Sequence, residues 1–203
     1  MTAPEVASLI ILVAAITFTP GPNTTLAAAV GANQGVTRAL PFCVAVPIGW
    51  SVLMLSCILG LGSMLLAVPA VTVAVKWLGI AYLAELARRF ATTANAGSVR
   101  AGQLTVSFRQ GIALQFVNVK AWMLALTLTS GWVVPAARGN VALAFRLGIV
   151  LGIMVVFLFA TNFAYAVVGS ILRSRLAHGN GPVWINRVLA LMLLVAVGLL
   201  AAT

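Results

Sequence analysis

The amino-acid sequence predicts an all-α integral membrane protein with six transmembrane helices, arranged as two inverted three-helix repeats with interruptions in helices 1 and 4. The membrane assignment follows from composition. Of the 203 residues, 63% are hydrophobic and 7% are charged, whereas soluble domains carry about 25% charged residues. A spanning helix needs about 20 mainly apolar residues, and nearly the whole chain is available for such helices.

The first half is predicted to cover residues 1–90 and to hold three spans. Span 1, residues 6–31, is apolar except for a proline-rich interruption near its middle. Span 2, residues 39–66, is long for one crossing, and we expect its two internal prolines to interrupt it. Pro69 marks the next turn, and span 3 covers residues 70–90.

The second half is predicted to cover residues 108–203. It is joined to the first by residues 91–107, an extended polar stretch that we expect to be a cytoplasmic connecting loop. Span 4, residues 108–134, carries several polar side chains. Span 5 covers residues 141–172 after the loop PAARGN, and span 6 covers residues 183–202 after the loop RSRLAHGNGP.

The net charge of +10 arises from 12 Lys and Arg against 2 Asp and Glu. Basic residues between apolar runs report topology and contacts with anionic lipid headgroups. There is no basic patch interleaved with aromatic residues, so we expect no nucleic-acid partner. If both termini lie outside, the inner basic residues are Arg38, Arg88, Arg89, Arg100, Arg109, Arg173, Arg175 and Arg187, against Arg138, Arg146 and Lys76 outside. This excess favours both termini outside.

Spans 1 and 4 both carry polar or helix-breaking residues near their middle. With three spans in each half, the halves have opposite orientations. Inverted repeats of this kind are common in transporters, whose sites lie at interrupted helices near the midplane.

Span 1 contains the stretch TPGPNTT, residues 19–25. Pro20 and Pro22 lack backbone N–H groups, and Gly21 permits conformations that other residues resist, so the helix should unwind here and restart. The restarted helix presents free N–H groups and a positive dipole end, which favour a carboxylate. The alternative is a proline kink without a site. The binding candidates are Thr19, Pro20, Gly21, Pro22, Asn23 and Thr24.

Span 4 contains FRQGIALQFVNVKAW, which places Gln115, Asn118 and Lys120 in an apolar segment. An intramembrane lysine costs about 2.5–3.5 kcal/mol on insertion scales and marks a candidate functional site. We expect its ammonium group to pair with a substrate carboxylate, with Asn118 donating alongside. The alternatives are snorkelling and pairing with backbone carbonyls. Trp122, like Trp50, is a candidate cavity wall, although packing is the commoner role of a buried tryptophan.

Three further residues are binding or coupling candidates. Glu85 could hold an amine or take part in proton coupling, but Arg88 and Arg89 stand three and four positions later, where an ion pair is favoured. Asn162 and Tyr165 of span 5 share a helix face. They either line a cavity or form hydrogen bonds between helices.

The sequence lacks the residues of an enzyme active site. A single His, at position 178 in a polar loop, cannot serve a buried catalytic triad. There is no nucleotide-binding motif. We therefore expect neither catalysis nor a cofactor, and one His with two carboxylates does not furnish a structural metal site.

The polar motifs together resemble the LysE/RhtB family of amino-acid exporters. The resemblance rests on TPGPN at residues 19–23 followed by Gly35-x-x-Arg38, KWLGIAYL at residues 76–83, and FRQGIALQFVNVKAW at residues 108–122. It implies a six-span protein of the bacterial inner membrane that exports amino acids or their derivatives with the proton gradient. Relatives in the wider superfamily move metal cations.

The sequence departs from this family at four places. Val119 replaces a usual proline, and Gln115 stands where Asn is common. Span 2 has Pro47-Ile48-Gly49-Trp50-Ser51 where many members carry an acidic residue, and Glu85 stands where the family is usually apolar or aromatic. We therefore expect a firm break in span 1, a softer one in span 4, and no preference for basic substrates.

The sequence as a whole predicts a secondary exporter of a small neutral or zwitterionic amino acid or a close derivative. The break in span 1, with Asn118 and Lys120, would hold the carboxylate. Two alternatives stay open, a metal-cation exporter of the same superfamily and a membrane subunit that binds a partner without transporting. A homodimer is also left open.

Overall fold

The computed structural model describes residues 1–62, 67–95, 106–134, 139–175 and 181–202. Within these ranges the chain is helical almost throughout and forms no β-strand, as the composition predicts. Several sequence-based assignments lie outside the described residues, namely the end of span 2 at 63–66, most of the connecting loop at 96–105, and Arg100, Arg138 and His178.

Eight α-helices follow one another in the described ranges. They are α1 Ala3–Phe18, α2 Pro22–Gln34, α3 Val36–Ser56, α4 Pro69–Asn95, α5 Phe108–Val117, α6 Val119–Leu128, α7 Asn140–Arg175 and α8 Gly181–Ala202. A π-helical segment extends α3 over Cys57–Leu61, and another extends α6 over Thr129–Val133. Because α4 continues to Asn95, the predicted connecting loop begins later than residue 91.

The interruptions predicted in spans 1 and 4 are confirmed. Helices α1 and α2 are bent by 54° at their break, and α5 meets α6 with its π-helical extension at 70°. Three further segments, Val36–Leu61, Pro69–Arg89 and Asn140–Leu172, are long and apolar enough to cross a membrane. The described residues thus offer three spans, or up to five if each bent pair is one. Six spans in an inverted repeat remain a prediction.

The prolines of span 2 do not interrupt it, contrary to the prediction. Helix α3 runs through Pro41 and Pro47 without a break. It packs along α5 and α7, and neighbouring helices of this kind stabilise a segment that has lost single backbone hydrogen bonds. The irregular backbone lies further on, at Gly60, whose φ of 109° favours glycine.

Close helix crossings build the centre of the molecule. Helix α2 packs mainly on α7, α3 on α5 and α7, and α4 on α8. At the first crossing, a Cβ atom on Gly31 would lie 2.1 Å from the carbonyl oxygen of Ala166, and one on Gly169 would lie 2.1 Å from that of Ala28. Only glycine permits backbones to approach this closely. These crossings hold the break of α1–α2 against the second half of the chain.

Candidate functional site

The break in span 1 is an extended segment of residues 19–21 between α1 and α2. Helix α1 ends at Phe18 because two of the next four residues are prolines, and Pro22 opens α2 at a position where a missing N–H costs nothing. The Gly21 N–H donates to Thr24 Oγ1 at 2.9 Å, and the Thr24 hydroxyl donates to the Gly21 carbonyl at 3.0 Å. These two bonds fix the entry into α2.

The backbone at Gly21 is ordinary extended chain, which corrects the sequence-based expectation of an unusual conformation there. Its φ of −169° and ψ of −175° are extended values that any residue adopts. A Cβ atom here would lie 3.4 Å from Cδ and 3.5 Å from Nζ of Lys120. The lysine side chain therefore lies directly over the glycine.

The break in span 4 is formed by Asn118, whose φ of −93° and ψ of 100° separate α5 from α6. The bend here is 70°, against 54° at the first break, although one residue separates the two helices here and three separate them at the first break. In the absence of a proline, a side-chain hydrogen bond stabilises the backbone at this break. The indole N–H of Trp122 donates to the Phe116 carbonyl at 2.8 Å, one of the helix-end carbonyls that a break leaves without an amide.

Side chains of the second half reach across to the free carbonyls at the end of α1. Lys120 Nζ donates to the Thr19 carbonyl at 2.8 Å. The Tyr165 hydroxyl donates to the Phe18 carbonyl at 3.1 Å. The two breaks therefore meet, and Lys120 pairs with a backbone carbonyl, which was one of the alternatives left open by the sequence.

Asn23 and Gln115 join the two broken spans by a reciprocal pair of hydrogen bonds. Asn23 Nδ2 donates to Gln115 Oε1 at 3.0 Å, and Gln115 Nε2 donates to Asn23 Oδ1 at 3.2 Å and to the Gly111 carbonyl at 3.1 Å. Gln115 is fully buried. Since its amide is already satisfied, Gln115 couples α2 to α5 rather than offering a free group to a ligand.

A polar cavity of about 40 Å³ lies where the breaks meet. This volume accommodates water but not an amino acid. Its other walls are apolar or aromatic and include Ile16, Trp50 and Leu158. The predicted site residues that line it are Thr19, Gly21, Pro22, Asn23, Thr24, Asn118, Lys120 and Asn162.

The remaining predicted candidates take other places. Pro20 lines a second cavity, described below. Gln115, Trp122 and Tyr165 are not among the residues lining either cavity, and they hold the backbone around the breaks.

Asn162 carries an acceptor without a partner. Its side chain is 1% exposed, and its Nδ2 donates to the Leu158 carbonyl one helical turn back at 2.7 Å. Its Oδ1 is buried and receives no hydrogen bond among the described residues. An unmet buried acceptor costs about 1–3 kcal/mol. Such a group beside a cavity is a candidate contact for a donor on a ligand.

The two carboxylates of the sequence lie in ion pairs with arginines. Glu85 pairs with Arg88 at 2.7 Å and Arg89 at 2.9 Å, as the spacing predicts. Glu5 pairs with Arg146 at 3.2 Å. Neither glutamate lines the cavity described above. The site therefore presents one ammonium group, several neutral polar groups and no carboxylate.

Trp50 is the main site residue that sequence reasoning left aside in favour of packing. It is 1% exposed, lines the cavity, and donates from its indole N–H to the Ala121 carbonyl at 3.3 Å. It thereby ties α3 to the first turn of α6. A tryptophan next to Gly49 in an apolar span was the available signal, but the sequence does not say which helix the indole faces.

A larger cleft of about 520 Å³ lies on the other side of the breaks, where α4 faces α5 and α6. Helix α4 contributes Gly79 and Leu83, and the second broken span contributes Val117, Met123 and Thr127. The cleft and the polar cavity share one wall. Its residues are Ile16, Gly21, Pro22, Asn118, Lys120 and Leu124.

Comparison with known proteins places these features in one family. The family model described as LysE type translocator matches residues 14–203. Two cysteine/O-acetylserine efflux proteins, from Salmonella choleraesuis (strain SC-B67) and Escherichia coli (strain K12), are each 30% identical over 176 residues. The aligned part covers 87% of this chain and 87% of each relative. No solved structure matches the chain.

Proposed function

Because the chain belongs to the LysE type translocator family, we propose that it is a secondary transporter that exports a small neutral amino acid or derivative across the bacterial inner membrane. The relatives named for cysteine/O-acetylserine efflux support this substrate class. The observation that carries the proposal is the contact of Lys120 with the Thr19 carbonyl at 2.8 Å, at the meeting point of two broken helices.

Lys120 holds the substrate carboxylate. In the closed arrangement its ammonium group donates to a neutral carbonyl, and no carboxylate stands among the described residues around the cavity. A carboxylate is a stronger partner for an ammonium group than a carbonyl, because charge-assisted hydrogen bonds are roughly twice as strong as neutral ones. Asn118 and the first residues of α2 line the same cavity, and the start of a helix favours an anion.

Neutral acceptors hold the substrate ammonium group. When Lys120 turns to the substrate, the Thr19 carbonyl is released, and the unpaired Asn162 Oδ1 lies on the same cavity. Two neutral acceptors suit a single ammonium group. A second positive charge, as on a basic amino acid, would meet Lys120 without a compensating carboxylate.

Transport requires the breaks to open. A cavity of about 40 Å³ is far below the roughly 300–1,000 Å³ of small-molecule sites, so the polar cavity must widen to admit a whole amino acid. We propose that the two inverted halves rock against each other, as in other repeat-built transporters.

We further propose that a proton gradient drives export. Glu85, held by two arginines, is a poor proton carrier, and Lys120 is the titratable group in the site.

Counterflow of labelled amino acids in proteoliposomes tests this function. We expect saturable counterflow of serine, cysteine or O-acetylserine by the wild type, and loss of at least tenfold in Lys120→Met. The matched control is Lys76→Met, because Lys76 is bound to the Ala201 carbonyl near the chain end and lines neither cavity. The proposal fails if no neutral amino acid gives saturable flux, or if both variants transport equally.

A further inference from the structure

The cleft beside the polar cavity has the shape of a second part of the same site. It measures about 520 Å³, within the range of small-molecule pockets. Apart from Asn118, Lys120 and Thr127, it is lined by apolar residues and glycines. The polar groups of its shared wall are those that we propose to hold the substrate backbone. An amphiphile with a charged end at Lys120 would therefore extend its apolar end into this cleft.

We propose that the cleft receives the substrate's side chain or acyl group, so that the transporter prefers neutral amino acids with an extended apolar side chain. This inference rests on the proposed function and adds the substrate class to it. Apolar surface that leaves water on binding contributes in proportion to its area. The preference should therefore increase with each methylene that the cleft accommodates.

The lining chemistry favours a flexible, unbranched chain. Leu83, Leu114 and Val117 form apolar walls, and Met123 contributes an adaptable thioether side chain. Thr127 supplies a hydroxyl group about two helical turns beyond Lys120, counted along α6. A side chain with one weak acceptor, such as a thioether or an ester, would meet this hydroxyl without requiring a charge.

Gly79 sets the width of the cleft from the side of α4. It stands one helical turn before Leu83, so the two residues share the face that α4 turns to the cleft. Helix α4 packs chiefly on α8 and only lightly on α5 and α6, which leaves this space between them. A larger side chain at position 79 would take up space in the cleft from the side of α4, opposite the broken span that carries Asn118 and Lys120.

A lipid acyl chain is the other candidate occupant, since the cleft lies among membrane-spanning helices. The substrate is favoured because the cleft ends at an ammonium group and an amide that also line the polar cavity. The methylenes of a lipid acyl chain form no hydrogen bonds, so polar groups at their depth do not favour a lipid. The two occupants differ in one measurable respect, because only a substrate side chain makes transport depend on side-chain length.

The test is competition for counterflow in proteoliposomes by alanine, 2-aminobutyrate, norvaline and norleucine. These compounds share their charged end and differ by one methylene at each step. We expect the half-inhibition concentration to fall about fourfold per methylene, the factor for burying one CH₂ group. Gly79→Leu should flatten the series, because norleucine should lose far more affinity than alanine. Gly79→Ala should give an intermediate slope.

The control is Gly152→Leu, because Gly152 is exposed on α7 and a Cβ there meets nothing within 4 Å. It should keep the wild-type slope. A flat series with saturable alanine flux assigns the cleft to lipid and overturns the inference, while the proposed function stands. Equal loss of all four compounds in both Gly79 variants also overturns it. Absence of flux for every amino acid in the wild type overturns the proposed function itself.

Discussion

Replacing Asn162 by leucine should raise the free energy of unfolding and lower the transport rate. These two effects are expected together only if Asn162 binds the ligand. In the closed arrangement, Asn162 Oδ1 is buried without a partner, which costs about 1–3 kcal/mol. Its Nδ2 bond to the Leu158 carbonyl contributes about 1 kcal/mol. Removing both groups therefore changes the free energy of unfolding by about 0–2 kcal/mol in the stabilising direction.

Transport by Asn162→Leu should fall because the substrate loses an acceptor. A hydrogen bond to a charged ammonium group contributes about 1.5–3 kcal/mol, which corresponds to roughly a 10- to 150-fold rise in the half-saturation concentration. Thermal unfolding in detergent measures the first effect, and counterflow in proteoliposomes measures the second.

The neighbouring Thr161 supplies a matched control. Its hydroxyl is also buried without a partner, and it lies on the same helix but is not among the residues lining the cavity. Thr161→Val should stabilise the protein and leave the half-saturation concentration unchanged. The reasoning is refuted if Asn162→Leu lowers the unfolding temperature, or if both variants transport like the wild type.

Further predictions concern packing, capping and coupling. Gly169→Ala should destabilise the protein by about 1–3 kcal/mol, because its Cβ would lie 2.1 Å from the Ala28 carbonyl oxygen. Gly148→Ala, with open space around its Cβ, should not lower the unfolding temperature. Trp122→Phe should cost about 1–3 kcal/mol by leaving a carbonyl at the end of α5 unpaired, with little change in half-saturation concentration. Glu85→Gln should leave counterflow within twofold of the wild type, since its partners are exposed arginines; loss of proton-driven export alone would make Glu85 a coupling residue.

The sequence predicts both the position and the cause of the first helix break. For the second break it predicts the position but not the geometry. Two prolines within four residues end α1 wherever the segment lies in the fold, because neither supplies an N–H. At Asn118 the sequence offers no proline and does not predict that the two helices are bent by 70°. Its geometry depends on Trp122 capping a carbonyl six residues back, which requires the fold before it can be seen.

The pairing of site residues shows the same limit. Asn23 and Gln115 were each recognisable as polar groups in apolar spans, and both were predicted to hold substrate. In the structure they form hydrogen bonds with each other across 92 positions of sequence, while Asn23 also lines the polar cavity. A single sequence shows which residues are unusual for their surroundings. It does not show which of them form long-range hydrogen bonds, because these depend on helix packing that sequence periodicity does not predict. For the same reason the sequence could not decide whether Trp50 is a cavity wall or a packing residue.

Glycines at the helix crossings bring the two halves of the chain into close contact. Two crossings between the halves are built on glycines. Gly31 and Gly169 bring α2 to α7, and Gly49 and Gly111 bring α3 to α5.

At the first break, the open backbone at the end of α1 is held by side chains of the second half. Lys120 and Tyr165 donate to the Thr19 and Phe18 carbonyls. Separating the halves without substrate exposes these carbonyls unpaired at membrane depth, where each costs several kcal/mol. A substrate shifts the equilibrium only by its preference for the open state. We propose that a zwitterion supplies that preference, because its carboxylate would replace the carbonyl on Lys120 and its ammonium group would take up the carbonyl that Lys120 releases.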